Sequence, residues 1–105
     1  MSKSSTITDD LLPNPHAGDI LMAEFLEPMG LSQSALARAI GVSPRRINEI
    51  VLGKRSVTAD TDLRLARYFG MSDGFFLGLQ ADHDIMEARR ALGVTLSSIQ
   101  PRRAA

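Results

Sequence analysis

The sequence predicts an all-α domain of five helices, and three observations carry that prediction. Apolar residues recur every three or four positions along most of the chain, and no run alternates long enough to make a strand. Each apolar stripe ends at glycine, at Gly30, Gly41, Gly53, Gly70 and Gly93. Between stripes stand residues suited to opening the next helix, namely Ser32, Ser43, Thr58 or Asp60, and Ser72. With 105 residues, 44% of them hydrophobic and 23% charged, the chain suits a single core.

Residues 1–14, rich in Ser, Thr and Asp with little periodicity, read as a flexible arm. Residues 15–92 form the folded unit. The first helix is expected from about Ala17 to Leu26, with Ile20, Leu21, Phe25 and Leu26 on one side and Pro28 and Gly30 ending it. Ser32 caps the second, Gln33 to Ile40, which buries Leu36, Ala37 and Ile40. Ser43 caps the third, and Pro44 suits its first position, where the missing N–H has no partner to lose. Ile47, Ile50 and Val51 form its inner stripe. The fourth runs through Tyr68 with Leu63, Leu65, Ala66 and Phe69 as its apolar face. Ser72 opens the fifth, which continues through Phe75, Phe76, Leu79, Ile85 and Met86 to about Leu92. Residues 93–105 show no clear period and read as a flexible tail.

Several function classes are excluded or weakened. The chain has no cysteine, so disulfides and thiolate metal sites are out. His16 and His83 stand in no metal-binding or nucleophilic arrangement, and Asp82-His83-Asp84 points three ways from successive helical positions, so an enzyme is the weakest reading and neither metal nor cofactor is expected. No apolar run approaches the roughly 18 residues of a membrane span, and the N-terminus lacks the core of a signal peptide, which predicts a cytoplasmic protein without a membrane partner. Net charge is zero but unevenly spread. From Arg38 to Arg67 seven basic side chains face three acidic ones, whereas residues 1–37 hold five acidic and one basic. A basic middle follows an acidic beginning.

The most informative stretch is QSALARAIGVSPRRINEIVLGKR, Gln33 to Arg55. Two helices joined by a short turn containing glycine make a helix-turn-helix unit. Counted from Gln33, the fifth residue is Ala37, the ninth Gly41, the tenth Val42, the fifteenth Ile47 and the eighteenth Ile50. Ala37 is small where the helices cross, Gly41 can take a positive φ, and Val42, Ile47 and Ile50 fill the angle between them. A plain αα-hairpin does not require these five together. With Ile47 and Ile50 inward, Ser43, Arg45, Arg46, Asn48 and Glu49 form the opposite face, suited to a major groove. Arginine meets guanine bidentately, asparagine meets adenine, and glutamate accepts from the cytosine amino group. Arg45 points more directly outward than Arg46, which suits a flanking base or phosphate. Gln33, Ser34, Lys54 and Arg55 at the helix ends suit backbone phosphates of a double-stranded operator.

The run from Gly18 to Ile85 resembles the HigA-type antitoxins of the Xre-like helix-turn-helix repressors. The resemblance rests on GDILMAEFLEPMGLSQ, GKRSVTADTDLRLARYFG and FFLGLQADHDI beyond the general repressor pattern. It implies a five-helix, lambda repressor-like domain in a homodimer that represses its own operon and neutralises a HigB-type toxin, an mRNA-cleaving RNase. A stand-alone repressor of the same type without a toxin is the alternative. The chain departs from the family in having His16-Ala17-Gly18-Asp19 for the usual His-Pro-Gly-Glu and Phe76 for a common Trp. The dimer interface is expected on the fifth helix, at Phe76, Leu79, Ile85 and Met86, whose apolar surface exceeds what one small core needs. The acidic residues Asp19, Glu24 and Glu27 are expected to meet a basic toxin.

Overall fold

A computed structural model describes residues 12–103, and among them there is no strand. Helix α1 spans residues 17–29, followed by α2 (Gln33–Ile40), α3 (Pro44–Val51), α4 (Ala59–Phe69), α5 (Phe75–Leu92) and the single turn α6 (Val94–Ser97). Helices α2 to α5 end close to the expected positions, each at the anticipated glycine or within one turn before it.

Helix α1 begins at a reciprocal cap. The His16 Nδ1 accepts from the Gly18 and Asp19 N–H groups at 3.0 and 3.2 Å, while the Asp19 carboxylate accepts from the His16 N–H at 3.0 Å. The helix does not stop near Leu26. It passes through a wider π turn at Leu21–Leu26 and runs on as Glu27–Met29, carrying Pro28 inside it, to Gly30. In that turn the Glu27 N–H donates to the Met22 carbonyl five residues back. The shift takes the carbonyls out of α register, which accommodates a residue that cannot donate and whose ring clashes with a carbonyl four residues back. It also places Leu21 and Leu26, five residues apart, together in the core.

That core is filled by Leu21, Leu26, Leu36, Ile47, Ile50, Leu65 and Phe76, all fully buried. Helix α1 lies against α3 and α5, α2 crosses α3 and α4, and α4 packs on α5. All four phenylalanines, Phe25, Phe69, Phe75 and Phe76, meet at one end, with ring centroids 4.8 to 6.3 Å apart.

The start of α5 differs from expectation. Its N-cap is Gly74, which has no side chain to offer, and Ser72 gives only its carbonyl, to the Phe75 N–H. The cap comes from α4 instead. The fully buried Asp62 accepts from the N–H groups of Gly74 (2.7 Å), Phe76 (2.7 Å) and Leu77 (3.0 Å), so one carboxylate satisfies three donors at a helix N-terminus.

At the N-terminal end, the last residues of the expected arm lie against α5. Asn14 donates to the His83 carbonyl and to Glu87 and its own carbonyl meets the His83 Nδ1 at 2.9 Å, while Arg90 donates to the Leu12 carbonyl at 2.7 Å. Contact with the helical body therefore includes Leu12 and Asn14, and the rest of the expected arm, residues 1–11, lies outside the described residues. Beyond Gly93, α6 forms where the sequence shows no period, and its residues are exposed.

Candidate nucleic-acid interface

The turn between α2 and α3 is set by local chemistry. Ser32 Oγ accepts from the Ala35 N–H and caps α2, and Gly41 at φ +74° closes it. The Val42 N–H returns to the Ala37 carbonyl, and Ser43 Oγ accepts from the Arg46 N–H to start α3. Arg64, on α4, donates to the carbonyls of Ile40 (2.7 Å) and Gly41 (3.3 Å), so a third helix grips the turn. From the other side, α1 reaches the back of α3 at Gly18. A Cβ there would stand 1.9 Å from the Ile50 carbonyl oxygen, so only glycine permits this approach.

Held this way, α3 buries Ile47 and Ile50 and turns its polar face outward. Arg45 stands out from it, with 83% of its side chain exposed, and its Nε donates to Glu49 Oε2 at 3.0 Å. Arg55, just past the helix, donates to Glu49 Oε1 through Nε at 2.9 Å, and its Nη2 stands 2.8 Å from the same oxygen in an ion pair. These two guanidinium groups, Arg55 first and Arg45 second, hold the Glu49 carboxyl below the usual carboxylate range. Asn48 donates to Gln33 Oε1 at 3.2 Å, tying the start of α2 to the exposed face of α3. Ser34 and Lys54 are exposed at the two ends of the surface.

Arg46 takes a different course. It turns toward α4, where its Nη1 meets Asp60 at 3.2 Å and Thr61 at 3.5 Å. Asp60 is held low in pKa chiefly by Arg64 at 2.8 Å, with Arg46 second. The structure thus gathers Gln33, Arg45, Asn48, Glu49 and Arg55 on one face and ties Arg46 into a bracing pair behind it. Asp62 and Arg64 have no role in the sequence reading, and Asp60 enters it only as an alternative cap to Thr58, which is the residue that caps α4. The spacing of Asp60 and Arg64, four apart on a helix, signals their pairing, but nothing local signals their reach to Arg46 and the turn.

The residues expected at a dimer interface divide. Phe76 is sealed inside the core and has no surface to give a partner, because it is the centre of the aromatic cluster. Leu79 packs partly on the core, Met86 is half-buried, and Ile85 is 53% exposed. Leu92, Val94, Leu96 and Ile99 are further exposed apolar side chains toward the C-terminal end. Of the three acidic residues on α1, Glu24 and Glu27 are exposed and Asp19 is engaged in the cap with His16. Among the described residues no group of three or more His, Asp or Glu could hold a metal, and no helix is long and apolar enough to cross a membrane.

A helical domain whose second and third helices meet across a glycine turn, with the third exposing Arg45 and Asn48, defines a DNA-binding protein of the helix-turn-helix class. A helix-turn-helix family model matches residues 22–76. The chain belongs to that family and, within it, to the HigA-type antitoxins. It is 52% identical over 79 residues to virulence-associated protein I of Dichelobacter nodosus, covering 75% of this chain and 73% of that protein. It is 32% identical over 84 residues to antitoxin HigA-1 of Vibrio cholerae, covering 80% and 79%. Among solved structures it is similar to the Pseudomonas aeruginosa antitoxin HigA with the higBA promoter, at 38% identity and a TM-score of 0.79, covering 87% of this chain and 100% of that one. Membership of this family makes the chain a DNA-binding protein and not an enzyme.

Proposed function

We propose that this protein binds, as a cytoplasmic homodimer, an operator in its own promoter, represses that operon, and neutralises a HigB-type mRNA-cleaving RNase encoded beside it. The observation that carries the DNA part is the outward, 83% exposed Arg45 on a helix whose back is fixed by α1 and whose leading turn is gripped by α4. Arg45 and Asn48 read base edges, while Ser34 and Lys54 hold phosphates and set register. Arg55 adds to the phosphate contacts through the part of its guanidinium that Glu49 leaves open.

The solved relative bound to its promoter supports operator binding, and the name of that promoter, higBA, supports a paired toxin gene. One short recognition helix offers few base contacts, so operator-level affinity calls for two copies on half-sites about 34–36 Å apart. The exposed apolar side chains between Ile85 and Ile99 support a contact between copies at the C-terminal end. For the toxin, an RNase that grips RNA presents a basic surface, and the exposed Glu24 and Glu27 supply the complementary charge.

Co-expression with the adjacent gene product, followed by binding of the purified complex to DNA upstream of the operon, tests the whole reading. A toxin that co-purifies, and whose association slows on charge reversal at the exposed Glu24 and Glu27 with DNA affinity kept, is the expected result. Promoter binding with no co-purifying partner would reduce the function to a stand-alone repressor.

A further inference from the structure

We propose that Glu49 is a positioning residue for Arg45 and does not read a base of its own. This rests on the reading of α3 as the DNA-reading helix. Sequence alone suggests a different role, since a glutamate on such a face can accept from a cytosine amino group. The geometry points away from it. Both oxygens of the carboxylate are engaged, Oε2 by Arg45 Nε and Oε1 by Arg55. Glu49 is also recessed: its side chain is 22% exposed beside the 83% exposed Arg45, so an approaching base edge meets the guanidinium first.

What Glu49 does to Arg45 is specific. It holds the guanidinium at Nε, and among the described residues the two terminal amino groups of this 83% exposed side chain have no hydrogen-bond partner. That end is the fork that meets O6 and N7 of guanine. Arg55 fixes the carboxylate in turn, using its own Nε and Nη2, so the order of action is Arg55 to Glu49 to Arg45. Pre-ordering a long side chain before binding reduces the rotamer freedom lost on contact. A carboxylate on this face also repels phosphates, so it lowers affinity for DNA in general while sharpening the preference for a guanine at one place.

The test uses a duplex selected by the wild-type chain from a randomised pool, a set in which each of its base pairs is replaced in turn, and a random duplex, all at one salt concentration. Arg45→Ala should lose roughly 5- to 150-fold of preference at one G·C pair. Glu49→Ala should lose much of the preference at that same pair, keep it elsewhere, and bind the random duplex more tightly than wild type. The double variant should be no worse than Arg45→Ala alone, because Glu49 has then nothing to position. Glu49→Gln, whose amide oxygen can still accept from Nε, should recover part of the loss. Thermal unfolding of each variant confirms that it is folded. Relaxation at a different base pair, losses that multiply in the double variant, or unchanged preferences in Glu49→Ala would each overturn the inference while leaving Arg45 as a reader. Unchanged preferences in Arg45→Ala would remove the DNA reading of α3 itself, and the inference with it.

Discussion

Arg45 and Arg46 are neighbours in sequence and end in different company, one leaning on Glu49 at the open face and the other on Asp60 behind it. Helical periodicity separates the two directions, and the sequence does assign Arg45 the outward one. It cannot supply the partner of Arg46, which lies fourteen residues away on another helix. Asp62 was equally hidden, because an aspartate in the first turn of a helix reads as an ordinary dipole-stabilising charge. Its burial against the start of α5 predicts that Asp62→Ala costs about 3 kcal/mol by leaving three N–H groups without an acceptor, whereas Ser72→Ala stays within about 0.5 kcal/mol. Urea unfolding of the two variants checks this. Glu49 and Asp60 make a second prediction. Both carboxyls titrate below their ordinary values, so their contribution to stability is present at neutral pH and disappears as the pH falls from the ordinary carboxylate value through the depressed one. The melting-temperature difference between wild type and a Glu49→Gln, Asp60→Asn variant should therefore shrink to nothing on acidification, and added salt should narrow it at neutral pH. A gap that is independent of pH would mean the pairs contribute nothing.

Among the elements, α2 and α3 were the most legible, because five steric requirements fall at fixed intervals and each names a residue type. Their caps at Ser32 and Ser43 and the closing Gly41 appear as expected. Helix α1 was legible at its start and not at its end. Pro28 signals a stop for an α-helix, and the π turn that precedes it depends on keeping Leu21 and Leu26 in a core formed by other helices. The turn α6 has no apolar stripe to announce it. Gly18 shows what positions the reading helix from behind, and the sequence alone does not mark it out from other glycines. A Cβ at Gly18 would lie 1.9 Å from the Ile50 oxygen and 2.7 Å from its carbon, both backbone atoms of α3. Gly18→Ala should therefore push α1 off α3, costing about 1–3 kcal/mol or more in unfolding free energy and weakening operator DNA. At Gly70, where the same addition meets nothing within 4 Å and only the positive φ resists it, the cost should be about 1 kcal/mol. Equal losses for the two variants in a denaturant titration would mean that the contact between α1 and α3 is not tight.

At the scale of the whole molecule, the sequence conveys the fold class and the division between an acidic start and a basic middle, because both are sums over many residues. Which apolar side chains remain for a partner is a difference between total and buried surface, and that requires the folded core. Hence Phe76, expected at the interface, lies inside the core, while Ile85 is exposed. Ile85→Asp should shift the protein toward monomer in sedimentation equilibrium and lower operator affinity in parallel, with melting temperature little changed. A variant that stays dimeric and keeps its operator affinity would move the interface elsewhere. The central claim, that α3 reads sequence through Arg45, is tested most directly by equilibrium binding to duplex from the protein's own promoter and to random duplex at one salt concentration. Arg45→Ala should lose about 1–3 kcal/mol of the difference between the two DNAs, while Lys54→Ala weakens both about equally and preserves that difference. An unchanged difference in Arg45→Ala would contradict the account.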